Sequence, residues 1–159
     1  FFSPQNTAAT SSLASPLTTS SATKDKYVLY FDGCSKANPG PAGCGAILYK
    51  NDCEFAFVSE YLGHQTNNYA EYMALIKGLE LAISHGADGD SLLVRGYSML
   101  VINQMKGIWK VKNASMQTLH LQAKQLQFKI PRGVTFEHIY RNLNARADEL
   151  ANAALLSVR

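Results

Sequence analysis

The chain has 159 residues, 47% of them apolar and 17% charged, with a formal net charge of +3. One domain of ordinary size suits that length, and the apolar share can build a real core, which excludes wholesale disorder and a disulfide-stapled miniprotein. No stretch approaches the roughly 20 uncharged apolar residues that cross a bilayer as a helix, so a membrane-spanning helix is excluded.

Residues 1–23 hold eleven Ser or Thr, two Pro and no charged residue. Nothing in them repeats at the period of a strand or a helix, so a disordered tail or linker is expected, with a folded domain over 24–159. The chain starts with Phe1, as expected of a fragment or a processed form. A Ser/Thr-rich, acid-free leader also suits the end of an organellar transit peptide, although the arginines usual there are missing.

Strands come first in the domain. Tyr27 to Phe31, Gly45 to Tyr49 and Phe55 to Tyr61 are β-branched and aromatic runs with short polar connections, the pattern of an antiparallel meander. Thr66-Asn67-Asn68 offers N-cap chemistry for a long helix ending near Gly86, with Tyr72, Ile76, Leu79 and Ile83 on one side. Leu92 to Gly96 reads as a short buried strand, followed by a small helix over Met99 to Met105. Met116, Leu119, Ala123, Leu126 and Ile130 mark another amphipathic helix. Val134 to Tyr140 is the last strand, and Asn144 is the expected cap of a final helix that turns Ala147, Leu150, Ala151 and Ala154 inward. The order βββαβααβα predicts an α/β domain, a five-stranded mixed sheet flanked by helices. Ligands of such sheets favour the carboxyl ends of parallel strands, here the ends of the first, fourth and fifth.

Cys34, Cys44 and Cys53 form no Cys-x-x-Cys pair and have no histidine at zinc-finger spacing. They are read as reduced thiols of an intracellular protein, nuclear or cytoplasmic, with an organelle as the alternative. Charge is uneven. Between Ser91 and Phe136 there are seven basic residues and no acid, which suits a polyanionic partner as well as it suits a solvated helical face.

Three acids stand at places where chemistry is expected. Asp32 ends the first strand before Gly33, Glu71 lies in the expected first turn of the long helix, and Asp148 lies in the first turn of the last. Each has an ordinary explanation, as a turn residue or as a carboxylate favoured by about 0.3–1 kcal/mol near a helix N-terminus. Their order says more. Asp32-Gly33-x5-Pro39-Gly40, then Thr66-Asn67-Asn68-x-Ala70-Glu71, then Asn144-x-Arg146-Ala147-Asp148-Glu149-Leu150 resembles the type 1 ribonuclease H family. Leu93-Val94-Arg95-Gly96, Val101-Ile102-Asn103-Gln104 and Gly107-Ile108-Trp109-Lys110-Val111-Lys112-Asn113 fit as well, and the resemblance runs from Lys26 to Ala154, nearest the plant- and archaeal-like branch.

The resemblance implies the ribonuclease H-like fold and metal-dependent cleavage of the RNA strand of an RNA–DNA hybrid by a monomer. It implies four acids holding Mg²⁺ or Mn²⁺, of which this chain keeps Asp32, Glu71 and Asp148 as catalytic and metal-binding residues. Where the remaining acid belongs, after Arg95-Gly96, stands Tyr97, and Met99 takes the place of a Gln that contacts hybrid. A neutral phenol is a poor substitute for a ligand carboxylate. Asp90 is about 23 Å away along an extended strand, and Glu149 points about 100° round the helix from Asp148, so neither replaces it.

Hybrid contacts implied by the resemblance are Ser35 and Asn38 for 2′-hydroxyls, Asn67 and Asn68 for both strands, and Arg141 for a phosphate. Lys106, Trp109, Lys110 and Lys112 form a basic segment with one aromatic, suited to the DNA backbone or a stacked sugar. Helix capping by Asn67, core packing of Trp109 and a solvated Arg141 are the plainer alternatives, and His138 is assigned to the strand. Three readings follow. One is an active enzyme using three carboxylates. Another is a hybrid-binding domain that cuts poorly or not at all, which is the reading preferred. The third is a non-catalytic protein-interaction remnant of a retroelement or larger protein.

Overall fold

A computed structural model of the chain describes residues 25–87 and 91–157, so the expected tail over 1–23 lies outside the described residues. Three strands, β1 (Tyr27–Ser35), β2 (Gly40–Lys50) and β3 (Cys53–Gln65), form the meander. They run several residues past their apolar cores because ladder pairing continues from Asp32↔Gly45 to Ser35↔Ala42, and β3 pairs out to Gln65. Helix α1 (Asn67–Ser84) follows, then β4 (Leu92–Gly96), α2 (Met99–Met105), α3 (Ala114–Gln127), β5 (Val134–His138) and α4 (Ala145–Leu156). The strand order is β3-β2-β1-β4-β5, with β4 parallel to both β1 and β5. This is the expected mixed sheet. Among the described residues no helix is long and apolar enough to cross a membrane.

Side chains alternate across a strand, and the two faces of β1 are covered by different helices. Leu29 and Phe31, with Cys44, Ala46 and Leu48 of β2, pack against Tyr72, Leu75 and Leu79 of α1, and α2 and α3 extend the same cluster. The other face takes α4 through Ala147, Leu150, Ala151 and Ala154, all buried. A Cβ on Gly45 would lie 2.6 Å from Ala151 N, so the bare backbone of β2 is what lets α4 approach.

One cap expectation is met and one changes. Thr66 caps α1, its Oγ1 accepting from Tyr69 N at 3.1 Å, so Asn67 is free for other bonds and Glu71 lies just past the first turn. Asn144 sits at the N-terminus of α4 but makes no side-chain cap bond. A 3₁₀ turn over Arg141–Asn144 precedes the helix, and buried Asn144 donates from Nδ2 to Phe31 O at 2.9 Å. Strand β5 stops at His138 rather than Tyr140, where the chain turns into that 3₁₀ segment.

Gly33 meets α1 in the same manner: a Cβ there would stand 2.3 Å from Ala70 C and 2.5 Å from Glu71 N, all backbone. No flexible side chain can yield. Gly33→Ala is therefore expected to cost at least about 3 kcal/mol, beyond ordinary overpacking, and to displace Glu71. Urea denaturation measures it, and a loss below about 1 kcal/mol would show that α1 is not seated on this backbone.

Candidate active site

The carboxyl end of β1 and the N-terminal portions of α1 and α4 converge on one cavity of about 290 Å³ lined by Asp32, Glu71 and Asp148, with Tyr97 and Arg141. Each acid has a structural reason to be there. Asp32 pairs in register with Gly45, next to the approach of α4. Glu71 is brought in by the contact of α1 with Gly33, and its Oε1 accepts from Gly33 N at 2.9 Å. Asp148 is in the first turn of α4, steadied by Asn152 Nδ2, which donates to its Oδ1 at 3.3 Å and to its backbone oxygen at 2.9 Å.

The carboxyls strain one another. Burial, then a hydrogen bond with Asp148 and the charge of Asp148, pushes Asp32 up to about 7. Burial and the charge of Asp32 push Glu71 well above the usual carboxylate range, against the opposing Gly33 N–H bond. Near neutrality the site therefore retains protons on acids that are normally ionised. Burial and Asp32 also raise the Cys34 thiol, which lines the same cavity and is a poor nucleophile there.

Among the described residues no group of three or more His, Cys, Asp or Glu side chains is disposed to hold a metal ion. The three acids share a cavity, but as placed Glu71 is engaged by the Gly33 N–H. Their donor chemistry nonetheless suits a hard divalent cation, since all are oxygen donors and two are electrostatically strained. Asp90 lies outside the described residues. Glu149 points away from the cavity and pairs with Arg146 at 3.0 Å.

Tyr97 follows directly on β4, and its ring lines the cavity with 38% of the residue exposed. The Arg141 guanidinium lies 4.6 Å from the ring centroid, a cation–π contact at the cavity mouth. Gly96, immediately before it, has no room for a side chain, because a Cβ would stand 2.5 Å from the Phe31 ring.

Of the expected contact residues, Ser35, Asn67 and Arg141 reach this cavity. Asn67 Oδ1 accepts from Ser35 N at 2.9 Å and Asn67 N donates to Asn38 Oδ1 at 3.0 Å, so this asparagine clasps the β1–β2 loop instead of capping. Ser35 Oγ is turned inward to Gln65 O at 2.9 Å and to Ala37 O, and with its N–H taken by Asn67 the residue lines the cavity with both donors engaged. Asn68 is exposed, and its side chain makes no hydrogen bond among the described residues. Met99, half-exposed at the start of α2, lines a neighbouring hollow rather than the acidic cavity.

Lys106, Trp109, Lys110 and Lys112 are not part of the cavity; they are exposed on the segment between α2 and α3. Trp109 is 43% exposed, so core packing does not explain it. One residue to which sequence reasoning gave no role holds this segment. Gln104, buried in α2, donates to Lys110 O at 3.3 Å and accepts from Tyr72 OH at 2.5 Å, which ties the basic segment to the residue after Glu71. Asn152 was also passed over, though its position one helical turn after Asp148 is a readable signal.

The family model described as reverse transcriptase-like matches residues 30–154. A bifunctional protein of Mycobacterium tuberculosis is 41% identical over 132 residues, 82% of this chain but 35% of that protein, so the chain spans about a third of its length. Ribonuclease HI of Halobacterium salinarum is 40% identical over 127 residues, 79% of this chain and 62% of the relative. Among solved structures, LC11-RNase H1 in complex with RNA/DNA hybrid superposes with a TM-score of 0.79 at 36% identity, covering 84% of this chain and 99% of that one. With the sheet order and the acidic cavity they bracket, these matches place the chain in the reverse transcriptase-like family, as a ribonuclease H-like domain.

Proposed function

We propose that the chain is a type 1 domain of the archaeal- and plant-like branch that binds RNA–DNA hybrid, and that Tyr97 leaves its hydrolysis weak or absent. The branch is supported by the identity with the halobacterial ribonuclease HI, and the ligand by the hybrid-bound LC11 neighbour. The observation that carries the catalytic part is the ring of Tyr97 at the end of β4, inside the cavity of the three acids and capped by Arg141. Asp32, Glu71 and Asp148 are the residues that would hold Mg²⁺ or Mn²⁺. Such an ion, when bound, supplies an activated water and neutralises charge on the leaving oxygen. The chain's own part is to give up the protons that Asp32 and Glu71 retain, so metal uptake strengthens as pH rises. Asn67, Asn38 and the backbone around Ser35 would meet the RNA strand, and the basic segment would meet the DNA strand.

Hybrid binding is expected to exceed binding to double-stranded DNA and to weaken steeply with salt, because phosphate contacts release counterions. Changing Lys110 and Lys112 to Gln should flatten the salt slope by about one per lost contact, without altering sequence preference. Fluorescence anisotropy over a salt series measures both. Equal affinity for hybrid and heparin would remove the hybrid site, and an absence of any duplex binding would favour the protein-interaction reading.

A further inference from the structure

Next to the acidic cavity lies a second hollow of about 470 Å³, whose rings of His138 and Tyr140 the hybrid-binding reading does not use. It shares Glu71 and Tyr97 with that cavity and is completed by Ser98, Met99, His138 and Tyr140. Three rings build it. Tyr97 and His138 are 6.0 Å apart and inclined by only 34°, whereas Tyr140 stands 5.8 Å from His138 at 80°. The result is a corner, with one aromatic wall nearly square to the other.

The corner is rigidly mounted and yet exposed. Ile139 N donates to Gly96 O at 3.0 Å, which ties the ends of β5 and β4, and Leu143 N donates to Tyr140 O at 3.0 Å, which fixes the turn beyond. Tyr140 is nevertheless 72% exposed and Met99 49% exposed, so neither is spent on the core. Flat apolar faces at right angles, with a hydroxyl and an imidazole at their edges, match the π-face and polar edge of a nucleobase. Arg141, over Tyr97 on the border with the acidic cavity, is placed for the attached phosphate.

We propose that this corner is a binding site for one unpaired nucleotide, stacked on Tyr140 and backed by Tyr97 and His138. The inference rests on the hybrid-binding reading only for the strand that delivers the base. A base displaced from a duplex, or one in a single-stranded continuation of it, is the ligand; a paired base has both faces covered and cannot enter.

The test compares the dissociation constants of two RNA–DNA hybrids, one fully paired and one with a single bulged ribonucleotide, together with a single-stranded RNA of the same sequence. The wild-type chain should favour the bulged hybrid by roughly tenfold, the scale of one base–aromatic stack. Tyr140→Ala should collapse that ratio to about one and weaken single-stranded RNA by a similar factor, while Tyr140→Phe, which keeps the ring, retains both. Phe128→Ala, a change of another highly exposed aromatic, controls for general surface effects. A bulged-to-paired ratio near one in the wild type, or a Phe variant as weak as Ala, overturns the corner site while leaving hybrid binding intact. Tyr140-dependent binding of single-stranded RNA without binding of paired hybrid overturns the hybrid reading and upholds the corner.

Discussion

Tyr97→Asp is expected to raise Mg²⁺- or Mn²⁺-dependent cleavage of the RNA strand of a hybrid by at least about a hundredfold. That factor corresponds to roughly 3 kcal/mol of barrier, within what one added metal ligand supplies through better placement of the ion and its water. The change acts twice, since it removes a ring from the cavity of Asp32, Glu71 and Asp148 and frees Arg141 from its position over that ring. Asp32→Asn on top should abolish the gain. Met99→Gln on top should add less, because Met99 lines the neighbouring hollow and not the acidic cavity. In chelator, Tyr97→Asp should leave the melting temperature unchanged or lower it, since it adds a carboxylate to a group already crowded. A gel assay on labelled hybrid decides the matter. Robust cleavage by the unmodified chain would show that three carboxylates suffice, and continued inactivity after the change would place the defect elsewhere in the site.

Asp32→Asn should stabilise the protein at pH 8 by about 3 kcal/mol, or roughly 10 °C in Tm, and hardly at all at pH 4. The buried Asp32 carboxyl titrates at about 7 against an ordinary value of 3.8, so between these pH values the folded chain retains a proton that the unfolded chain has released. The stabilising contribution is whole below about pH 4 and is lost as pH rises through about 7. That interval is worth on the order of 4 kcal/mol, of which part is shared with Glu71. Millimolar Mg²⁺ should recover part of this loss at pH 8 in the unmodified chain and less in the Asn variant. Thermal melts at the two pH values, with and without the ion, measure it. A lower Tm for Asp32→Asn at pH 8 would mean that the carboxylate is supported by its surroundings and not strained by them.

Much of this protein was legible from residue order alone. β-Branched and aromatic runs at Tyr27, Gly45 and Phe55, a helical stripe through Tyr72, Ile76 and Leu79, and a left-handed stop at Gly86, where φ is +83°, are local signals, because each depends on neighbours within a turn or two. The short elements Leu92–Gly96 and Met99–Met105 appear with the expected bounds for the same reason. Asp32, Glu71 and Asp148 were also identifiable as a set, from motifs whose order along the chain is unambiguous.

Tertiary structure alone decided how those residues meet. Asn144 was expected to cap, and capping was the plainer alternative for Asn67, because both residues cap well; only long-range partners, Phe31 O for the first and the β1–β2 loop for the second, outbid the local bond. The ends of the meander strands were drawn too short, since ladder hydrogen bonds extend β1 to Ser35 and β3 to Gln65 through residues with little strand propensity. The protons retained on Asp32 and Glu71 depend on burial and on carboxyls 39 and 116 residues apart in sequence, which no local pattern encodes. The aromatic corner of Tyr97, His138 and Tyr140 has the same origin. Its rings come from the residue just after β4, from the last residue of β5 and from the turn after it, and parallel pairing of β4 with β5, Gly96 beside His138, is what brings them together.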